Sequence, residues 1–239
     1  MSWFARLFRP HVELSPTLAA RVQSWRAQAA PSDDQRIESA RLVVVDVETS
    51  GLDVRRDHLL AIGAVAVNAM ALTPGDGYAA ILGQRDPAVH ETVVLHGIGP
   101  QMQAQGVEPE AALMDFLEFA GKDTLIAFHA GFDRAMLDRA MREILGVRLL
   151  NRWIDLAWLM PALFPEHEDV RGGLDEWLTK FNLRAKVRHR AAFDAFVTAE
   201  LLLVALQRAR VRRLATLASL REQADAQEKL FLGRGMGSA

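Results

Sequence analysis

Residues 41–52, with the sequence RLVVVDVETSGL, give the strongest indication of the fold of this chain. The apolar run from Leu42 to Val47 is rich in β-branched residues and stops at Thr49-Ser50-Gly51, which predicts a buried strand that ends in a turn. Because side chains alternate across a strand, Asp46 and Glu48 should leave it on the same face. The strand therefore presents two neighbouring carboxylates at its end.

Two carboxylates at the end of a buried strand favour a bound cation. Like charges held side by side repel one another and lose hydration unless a positive charge lies between them. Ligands that are all oxygen favour Mg²⁺ or Mn²⁺ over zinc. The Asp-x-Glu spacing alone is expected about once by chance in a chain of this length, and its alternative interpretation is a solvated strand end.

Another acidic residue follows a second predicted strand. Residues 124–128 form a short apolar run, and the next segment has apolar residues at helical spacing, Phe132, Met136 and Ala140. Asp133 lies in the first turn of this predicted helix, where the helix dipole favours a negative charge. It is a candidate metal ligand, and the alternative is an acid that only stabilises the helix start.

A third segment combines a candidate base with a fourth carboxylate. His189 lies in the basic stretch RAKVRHR, residues 184–190, and Asp194 lies one turn into a long apolar helix that is predicted to start near Arg190. A histidine can titrate near neutral pH, which suits a general base that takes a proton from an attacking water. The alternatives are a surface histidine and another acid at a helix start.

These residues occur in this order, each at a strand end or helix start, and together they resemble the DnaQ-like family of 3′–5′ exonucleases. This branch, named for four acids and a histidine, includes the proofreading subunit of bacterial replicative polymerases, RNase T and oligoribonuclease. The resemblance covers roughly residues 40–207. It implies two Mg²⁺ or Mn²⁺ ions held by four acids, with a histidine as the base: Asp46, Glu48, Asp133, Asp194 and His189.

The resemblance also implies residues that meet the terminal nucleotide. Residues 49–52 match the family's Thr-Gly-Leu, and residues 95–98 match its His-Gly-Ile turn. The implied substrate-binding residues are Val47, Thr49, Gly51, Leu52, His96 and Phe132. Ordinary turn chemistry is the alternative for both short matches.

The chain departs from the family pattern at one position. Many members have His-Asn-Ala before the Phe-Asp pair, whereas residues 129–133 read HAGFD here, so that Ala130 takes the place of the asparagine. An amide donor is lost, although all the acids are kept. We expect this change to affect substrate handling or loop rigidity before it affects metal binding.

The order of predicted elements indicates a mixed α/β sandwich, with strands first, then alternating helices and strands, then helices. The resemblance makes this a ribonuclease-H-like fold with a mixed five-stranded sheet flanked by helices. We expect an N-terminal helical arm over residues 1–40, an exonuclease domain over 41–207, and a C-terminal helix with a flexible tail over 208–239.

Helices are predicted over several of the later segments. Residues 153–163 and 174–181 should each form one. The helix that contains Asp194 should run past Leu206 and continue through residues 214–227, with a flexible tail from Gly233.

Composition is that of one catalytic domain with extensions. The chain has 239 residues, of which 50% are hydrophobic, and it has no cysteine, which excludes disulfides, zinc–thiolate sites and thiol nucleophiles. The first ten residues lack the apolar core of a leader peptide, and no apolar run approaches the length of a membrane span. We therefore expect a cytoplasmic protein.

Charge is distributed unevenly along the chain. The net charge of −2 and the pI of about 6.4 lack the basic footprint of a nucleic-acid binder. Between residues 184 and 213, however, eight Lys or Arg residues against two acids give a local charge of +6. The basic loop beside His189 suits a phosphate backbone, whereas the alternative for the arginines of 208–213 is a solvated helix face.

Three functions are compatible with these residues. The first is a metal-dependent 3′–5′ exonuclease that shortens DNA in proofreading or repair and releases nucleoside 5′-monophosphates. The second is the same chemistry on short RNA, and the third is an inactive nucleic-acid-binding module. The intact acids and histidine argue against the third, and the choice between DNA and RNA depends on the surroundings of the terminal 2′ position.

A short segment near the C-terminus suggests a protein partner. Gln227, Leu230 and Phe231, in the sequence QEKLF, resemble the Gln-x-x-Leu-Phe peptide by which bacterial replication and repair proteins dock on the sliding clamp. On a flexible tail, the glutamine amide and the Leu-Phe pair would form an anchor. The alternative is that Leu230 and Phe231 pack back on the domain.

Overall fold

A single mixed sheet of five strands forms the centre of the computed structural model, which describes residues 12–87, 92–167, 173–183 and 189–235. The strands are β1 (Arg41–Thr49), β2 (Leu59–Asn68), β3 (Ala71–Ile81), β4 (Thr124–Ala127) and β5 (Trp153–Asp155). They lie in the order β3-β2-β1-β4-β5, with antiparallel pairs β3–β2 and β2–β1 and parallel pairs β1–β4 and β4–β5. The expected mixed five-stranded sheet is confirmed.

Helices cover both faces of this sheet. They are α1 (Pro16–Ala27), α2 (Val93–His96), α3 (Pro100–Ala104), α4 (Pro109–Ala120), α5 (Ala130–Leu145), α6 (Leu156–Leu163), α7 (Leu174–Lys180), α8 (Ala191–Val211) and α9 (Leu217–Gly235). Residues of α1, α4 and α5 form one core, and residues of α6 to α9 form the core on the other face. None of the helices in the described ranges has both the length and the apolar character of a membrane span.

The alternation of side chains along β1 links the two cores to the acidic residues. Val43 and Val45 belong to the core under α4 and α5, whereas Val44 belongs to the core under α8. The same alternation turns Asp46 and Glu48 toward the α8 side. The strand therefore delivers both carboxylates to the face of the sheet on which α8 lies.

Gly63 lets α8 approach the sheet closely. It is the β2 partner of Asp46, and a Cβ atom at this position would overlap the main chain of Ala191 and Ala192 at the start of α8. Only a residue without a side chain leaves room for this approach. The start of α8, and with it Asp194, consequently lies against the strands that hold the first two acids.

Gly63→Ala is expected to lower the free energy of unfolding by about 1–3 kcal/mol, because the overlapping atoms are main chain and cannot rotate away. Denaturant unfolding checks this. Gly131→Ala is the matched control, since a Cβ atom there meets nothing within 4 Å and alanine favours a helix over glycine. A Gly63→Ala protein as stable as this control would contradict the close approach.

The prediction of one helix over residues 153–163 is wrong in its first part. Trp153–Asp155 is the edge strand β5, and α6 begins only at Leu156. The register pairs Leu125 with Trp153, and the main-chain N–H of Leu125 donates to the carbonyl oxygen of Arg152 at 2.8 Å. Three residues are too few to show a strand periodicity, so this pairing with β4 decides their conformation.

The predicted continuous helix through residues 214–227 is also wrong. α8 ends at Val211, Arg213 has a left-handed φ of 60°, and a new helix, α9, begins at Leu217. Thr216 and Ser219 each accept the other's main-chain N–H with a side-chain oxygen, as in a capping arrangement. The flexible tail expected from Gly233 is also wrong at its start, because α9 continues to Gly235.

The described parts of both flanking segments, residues 12–40 and 208–235, pack on the sheet layers. The Arg21 guanidinium of α1 donates to Asp115 and Glu118 of α4, and the Trp25 indole N–H donates to the Gly121 carbonyl at 3.0 Å. α9 buries Leu220 in the core that it shares with α6 and α8. The two arms thus contribute side chains to the same cores as the central segment.

Candidate active site

Three carboxylates from two elements meet at the end of β1. Asp46 and Glu48 come from β1, and Asp194 comes from the first turn of α8. One oxygen of each lies within 4.8 Å of an oxygen of the others, and Asp194 is only 5% exposed. Unscreened like charges at this separation repel strongly, so the cluster has the donor atoms and the charge of a site for a hard divalent cation.

Asp133, the fourth predicted acid, is not one of these three. It lies in the first turn of α5, and its Oδ1 accepts a hydrogen bond from the main-chain N–H of Val47 at 3.1 Å. Burial, followed by the nearby charges of Asp155 and Glu48, raises the pKa of Asp133 to about 8, although the bond from Val47 lowers it. Without a cation, burial therefore favours the protonated form of this carboxyl group.

Asp133→Asn is expected to stabilise the metal-free protein at neutral pH. The folded-state pKa of Asp133, about 8, lies above its ordinary value of 3.8. Wild-type protein should therefore lose stability as the pH rises from about 4 to 8, because the folded state keeps a proton that the unfolded state releases. The variant lacks this loss and should be more stable by up to about 4 kcal/mol at pH 7.

Urea unfolding in EDTA across this pH range measures the difference between Asp133→Asn and wild type. Asp225→Asn, at an exposed position of α9, is the control for removal of a carboxylate. The stability advantage of Asp133→Asn should be small near pH 4 and vanish below about pH 3, where Asp133 is protonated in both states. Parallel stability curves for wild type and Asp133→Asn over the whole range would disprove the raised pKa.

Asp155 is an acidic residue that sequence reasoning missed. Its Oδ1 accepts hydrogen bonds from the main-chain N–H groups of His129 at 3.0 Å and of Ala157 at 2.9 Å. Burial raises the pKa of Asp155, although these two hydrogen bonds lower it. It thereby caps α6 and holds the residue that precedes α5, the helix of Asp133. An acid directly before an apolar helical run is a cap signal, but it was hidden by the helix predicted from Trp153.

His189 is joined to the carboxylate cluster through its main chain. Its N–H donates to Oδ2 of Asp194 at 2.8 Å, and its φ of 60° is in the left-handed region. The side chain is exposed. The main chain of His189 thus lies next to a candidate metal ligand, whereas residues 184–188 of the basic loop lie outside the described residues.

A pocket of about 630 Å³ opens beside Glu48. Its walls come from β2, β3, the segment around α2 and α3, and residues 190–192 at the start of α8. His96 lies in this wall, and its Nδ1 accepts the main-chain N–H of Ile98 at 3.0 Å, so its ring also holds the turn after α2. The structure therefore places His96 and a carboxylate of the cluster in one pocket.

The turn after β1 leaves the side chain of Leu52 exposed to solvent. Thr49 Oγ1 donates to the Gly51 carbonyl at 2.7 Å, and the Thr49 carbonyl accepts from Thr92 Oγ1 at 2.9 Å. Leu52, at the end of this turn, is 84% exposed. Its exposure four residues after Glu48 makes it available to the apolar face of a ligand.

The two remaining predicted residues contribute differently. The side chain of Val47 lies in the core rather than in the pocket, and its main-chain N–H holds Asp133. Phe132 is half-buried and packs against the same core. Ala130 is the buried first residue of α5, and the effect of its exchange for the family's asparagine stays a prediction.

Comparison with known proteins identifies relatives of this chain. The model of the RNase T exonuclease family matches residues 43–202. The PolC-type DNA polymerase III of Bacillus subtilis is 32% identical over 172 residues, and that of Thermotoga maritima is 29% identical over 172 residues. Each alignment covers 72% of this chain but only 12% of the polymerase, so the chain spans about an eighth of these relatives' length.

Solved structures show the same fold. Exonuclease X in complex with 5′ overhanging duplex DNA has a TM-score of 0.59 at 18% identity and covers 77% of this chain and 99% of its own. E. coli exonuclease I in complex with a dT13 oligonucleotide has a TM-score of 0.60 at 18% identity and covers 72% of this chain and 42% of its own. These likenesses confirm the expected ribonuclease-H-like fold, and the family match shows that the chain belongs to the exonuclease family, in its DnaQ-like group.

Proposed function

We propose that this chain is a metal-dependent 3′–5′ exonuclease that hydrolyses phosphodiester bonds from the 3′ end of DNA and releases nucleoside 5′-monophosphates. The observation that carries the proposal is the convergence of Asp46, Glu48 and Asp194 within 4.8 Å, with Glu48 also in the wall of a pocket. The pocket volume of about 630 Å³ is within the range that suits a small-molecule group such as a nucleotide.

The acidic residues fit two Mg²⁺ or Mn²⁺ ions. Asp46, Glu48 and Asp194 offer oxygen atoms only, which is the donor set of hard divalent cations, and Asp133 adds a fourth carboxylate. When bound, such ions stabilise the charge that develops on a scissile phosphate and lower the pKa of water. A bound cation would also favour loss of the proton that burial leaves on Asp133.

The residues around the acids supply the remaining steps. His189 accepts the proton of the attacking water, and the bond from its main-chain N–H to Asp194 sets its distance from the acids. Leu52 packs on the terminal base, and His96 lies in the wall that surrounds the terminal nucleotide. Arg190, which lines the same pocket, is placed to meet a phosphate.

DNA is favoured as the substrate by the kinds of protein that resemble this chain. The curated relatives are DNA polymerases, and the solved neighbours include an exonuclease in complex with an oligonucleotide of deoxythymidine. These facts belong to those proteins, and for this chain they motivate the choice of DNA. We also propose that residues 41–207 form the exonuclease domain and that the two arms support its cores.

An end-specificity assay tests this proposal. Linear single-stranded DNA with a 3′-hydroxyl should lose mononucleotides one at a time, and a closed circle of the same sequence should stay intact. A matched RNA strand distinguishes DNA preference from RNA preference. Cutting of the circle at a comparable rate would refute the exonuclease, whereas faster removal of ribonucleotides would replace DNA by RNA as the substrate.

The sliding-clamp partner stays a prediction without support from the contacts. Gln227, Leu230 and Phe231 lie in α9 rather than on a flexible tail, and the Phe231 ring centroid is 5.1 Å from that of Trp158. Docking as an extended peptide would require the end of α9 to unwind. Titration of residues 224–233 as a free peptide against a bacterial clamp tests it, and no binding at about 100 μM would end the idea.

A further inference from the structure

Two aromatic side chains of α8 are exposed next to the carboxylate cluster. Phe193 is 47% exposed and Phe196 is 43% exposed, whereas Leu201, Leu202 and Leu206 of the same helix are fully buried. The two are three residues apart and lie side by side on one helix face. Asp194, between them in sequence, turns toward the sheet and is buried. Exposed apolar side chains that lie together beside a proposed active site are typical of a ligand-binding surface.

This pair continues the rim of the pocket beside Glu48. Arg190 and Ala192 line that pocket, and Phe196 lies one helical turn beyond Ala192 on the same side of α8. From Arg190 to Phe196 the helix rises by about 9 Å. A strand that leaves the pocket along α8 would meet both rings within two to three nucleotides, since stacked nucleotides are about 3.4 Å apart.

The charge around the rings suits a polyanion. His189 and Arg190 directly precede α8 and are exposed. On the outward side of α8 the first acid is Glu200, one turn beyond Phe196. A ligand with both negative charge and flat apolar faces is an unpaired nucleic-acid strand, because duplex bases are stacked on each other and do not present their faces.

We propose that Phe193 and Phe196 form a stacking platform for the unpaired bases that lie upstream of the terminal nucleotide. The platform rests on the proposed function, because it places the substrate strand along α8. It requires a substrate that is single-stranded over its last few nucleotides. It also predicts that affinity depends on strand length, since a dinucleotide that fills the pocket does not reach Phe196.

Binding without hydrolysis is the first test. In EDTA, fluorescence anisotropy with a labelled oligodeoxynucleotide of about eight nucleotides should show about tenfold weaker binding for Phe193→Ala and for Phe196→Ala. Tyrosine at both positions should retain binding, because it keeps an aromatic face. Leucine should not, because it keeps only apolar area. Val211→Ala, at an exposed position at the far end of the same helix, is the control.

Hydrolysis with Mg²⁺ gives the second test. The double alanine variant should have a raised KM for the longer strand with nearly unchanged kcat, and unchanged kinetics on a dinucleotide. Unchanged binding in both alanine variants, or full retention by leucine, would overturn the stacking platform. So would a change of oligomeric state in the variants, which would assign this face to a second copy of the chain.

The outcomes also separate the platform from the proposed function. If wild-type protein hydrolyses no nucleic acid but its oligonucleotide binding depends on Phe193 and Phe196, the platform stands and the exonuclease proposal fails. If wild-type protein hydrolyses nucleic acid but its oligonucleotide binding does not depend on Phe193 and Phe196, the exonuclease proposal stands and the platform fails.

Discussion

Asp46→Asn is expected to abolish hydrolysis, with a loss of about 10³-fold or more in kcat, because it removes a charge that the proposed metal ions require. The fold should persist. Asparagine has almost the same shape, and one of three crowded negative charges disappears from the cluster. Single-turnover hydrolysis of a labelled strand measures the loss, and EDTA should have the same effect on wild-type protein.

The thermal shift caused by Mg²⁺ separates loss of metal binding from loss of structure. Wild-type protein should melt at a higher temperature with Mg²⁺ than in EDTA, since a ligand that binds only the folded state stabilises it. Asp46→Asn should lose most of this shift, and Asp225→Asn should keep it. Full hydrolysis by Asp46→Asn, or by wild type in EDTA, would disprove the metal-dependent mechanism.

Replacement of His189 has the second-largest expected effect. His189→Asn should lower the hydrolysis rate by about 10²–10⁴-fold, because no group then takes the proton from the attacking water. Asparagine tolerates the left-handed φ of 60° and keeps the main-chain N–H that Asp194 accepts. The Mg²⁺-induced thermal shift should stay, because the four acids are unchanged.

A second variant distinguishes the imidazole from the main chain. His189→Gly also keeps the N–H and the positive φ, so it should lose as much rate as His189→Asn, and added imidazole should restore part of it. If both variants hydrolyse DNA within about twofold of wild type, His189 is only a surface residue whose main chain holds Asp194.

Local periodicity was sufficient for the parts of the site that belong to one element. The alternation along residues 42–48 predicted that Asp46 and Glu48 share a face, and the cluster with Asp194 shows that they do. The helical spacing after residue 130 predicted that Asp133 lies in a first turn, as α5 has it. These features depend only on neighbouring residues, so they can be read without the rest of the chain.

Contacts between distant segments decided what the sequence pattern could not. Trp153–Asp155 is a strand because β4 pairs with it, and this pairing turns Asp155 into the acceptor that holds His129. The break between α8 and α9 depends on a cap at Thr216, inside a stretch whose apolar spacing looked continuous. Periodicity carries no information on such pairings, because it repeats within one element only.

Residue types and their order along the chain were sufficient to predict the candidate chemistry: an oxygen-only set of acids, a histidine, and the order in which strands and helices present them. The tertiary structure alone decided their relative positions. Gly63 lets the start of α8 approach the sheet and bring Asp194 to Asp46, while the main-chain N–H of Val47 donates to Asp133 in a buried site that raises the pKa of this carboxyl group. It also left Phe193 and Phe196 exposed beside the pocket. Distances between segments far apart in the chain depend on how helices pack on the sheet, and only the folded protein specifies that packing.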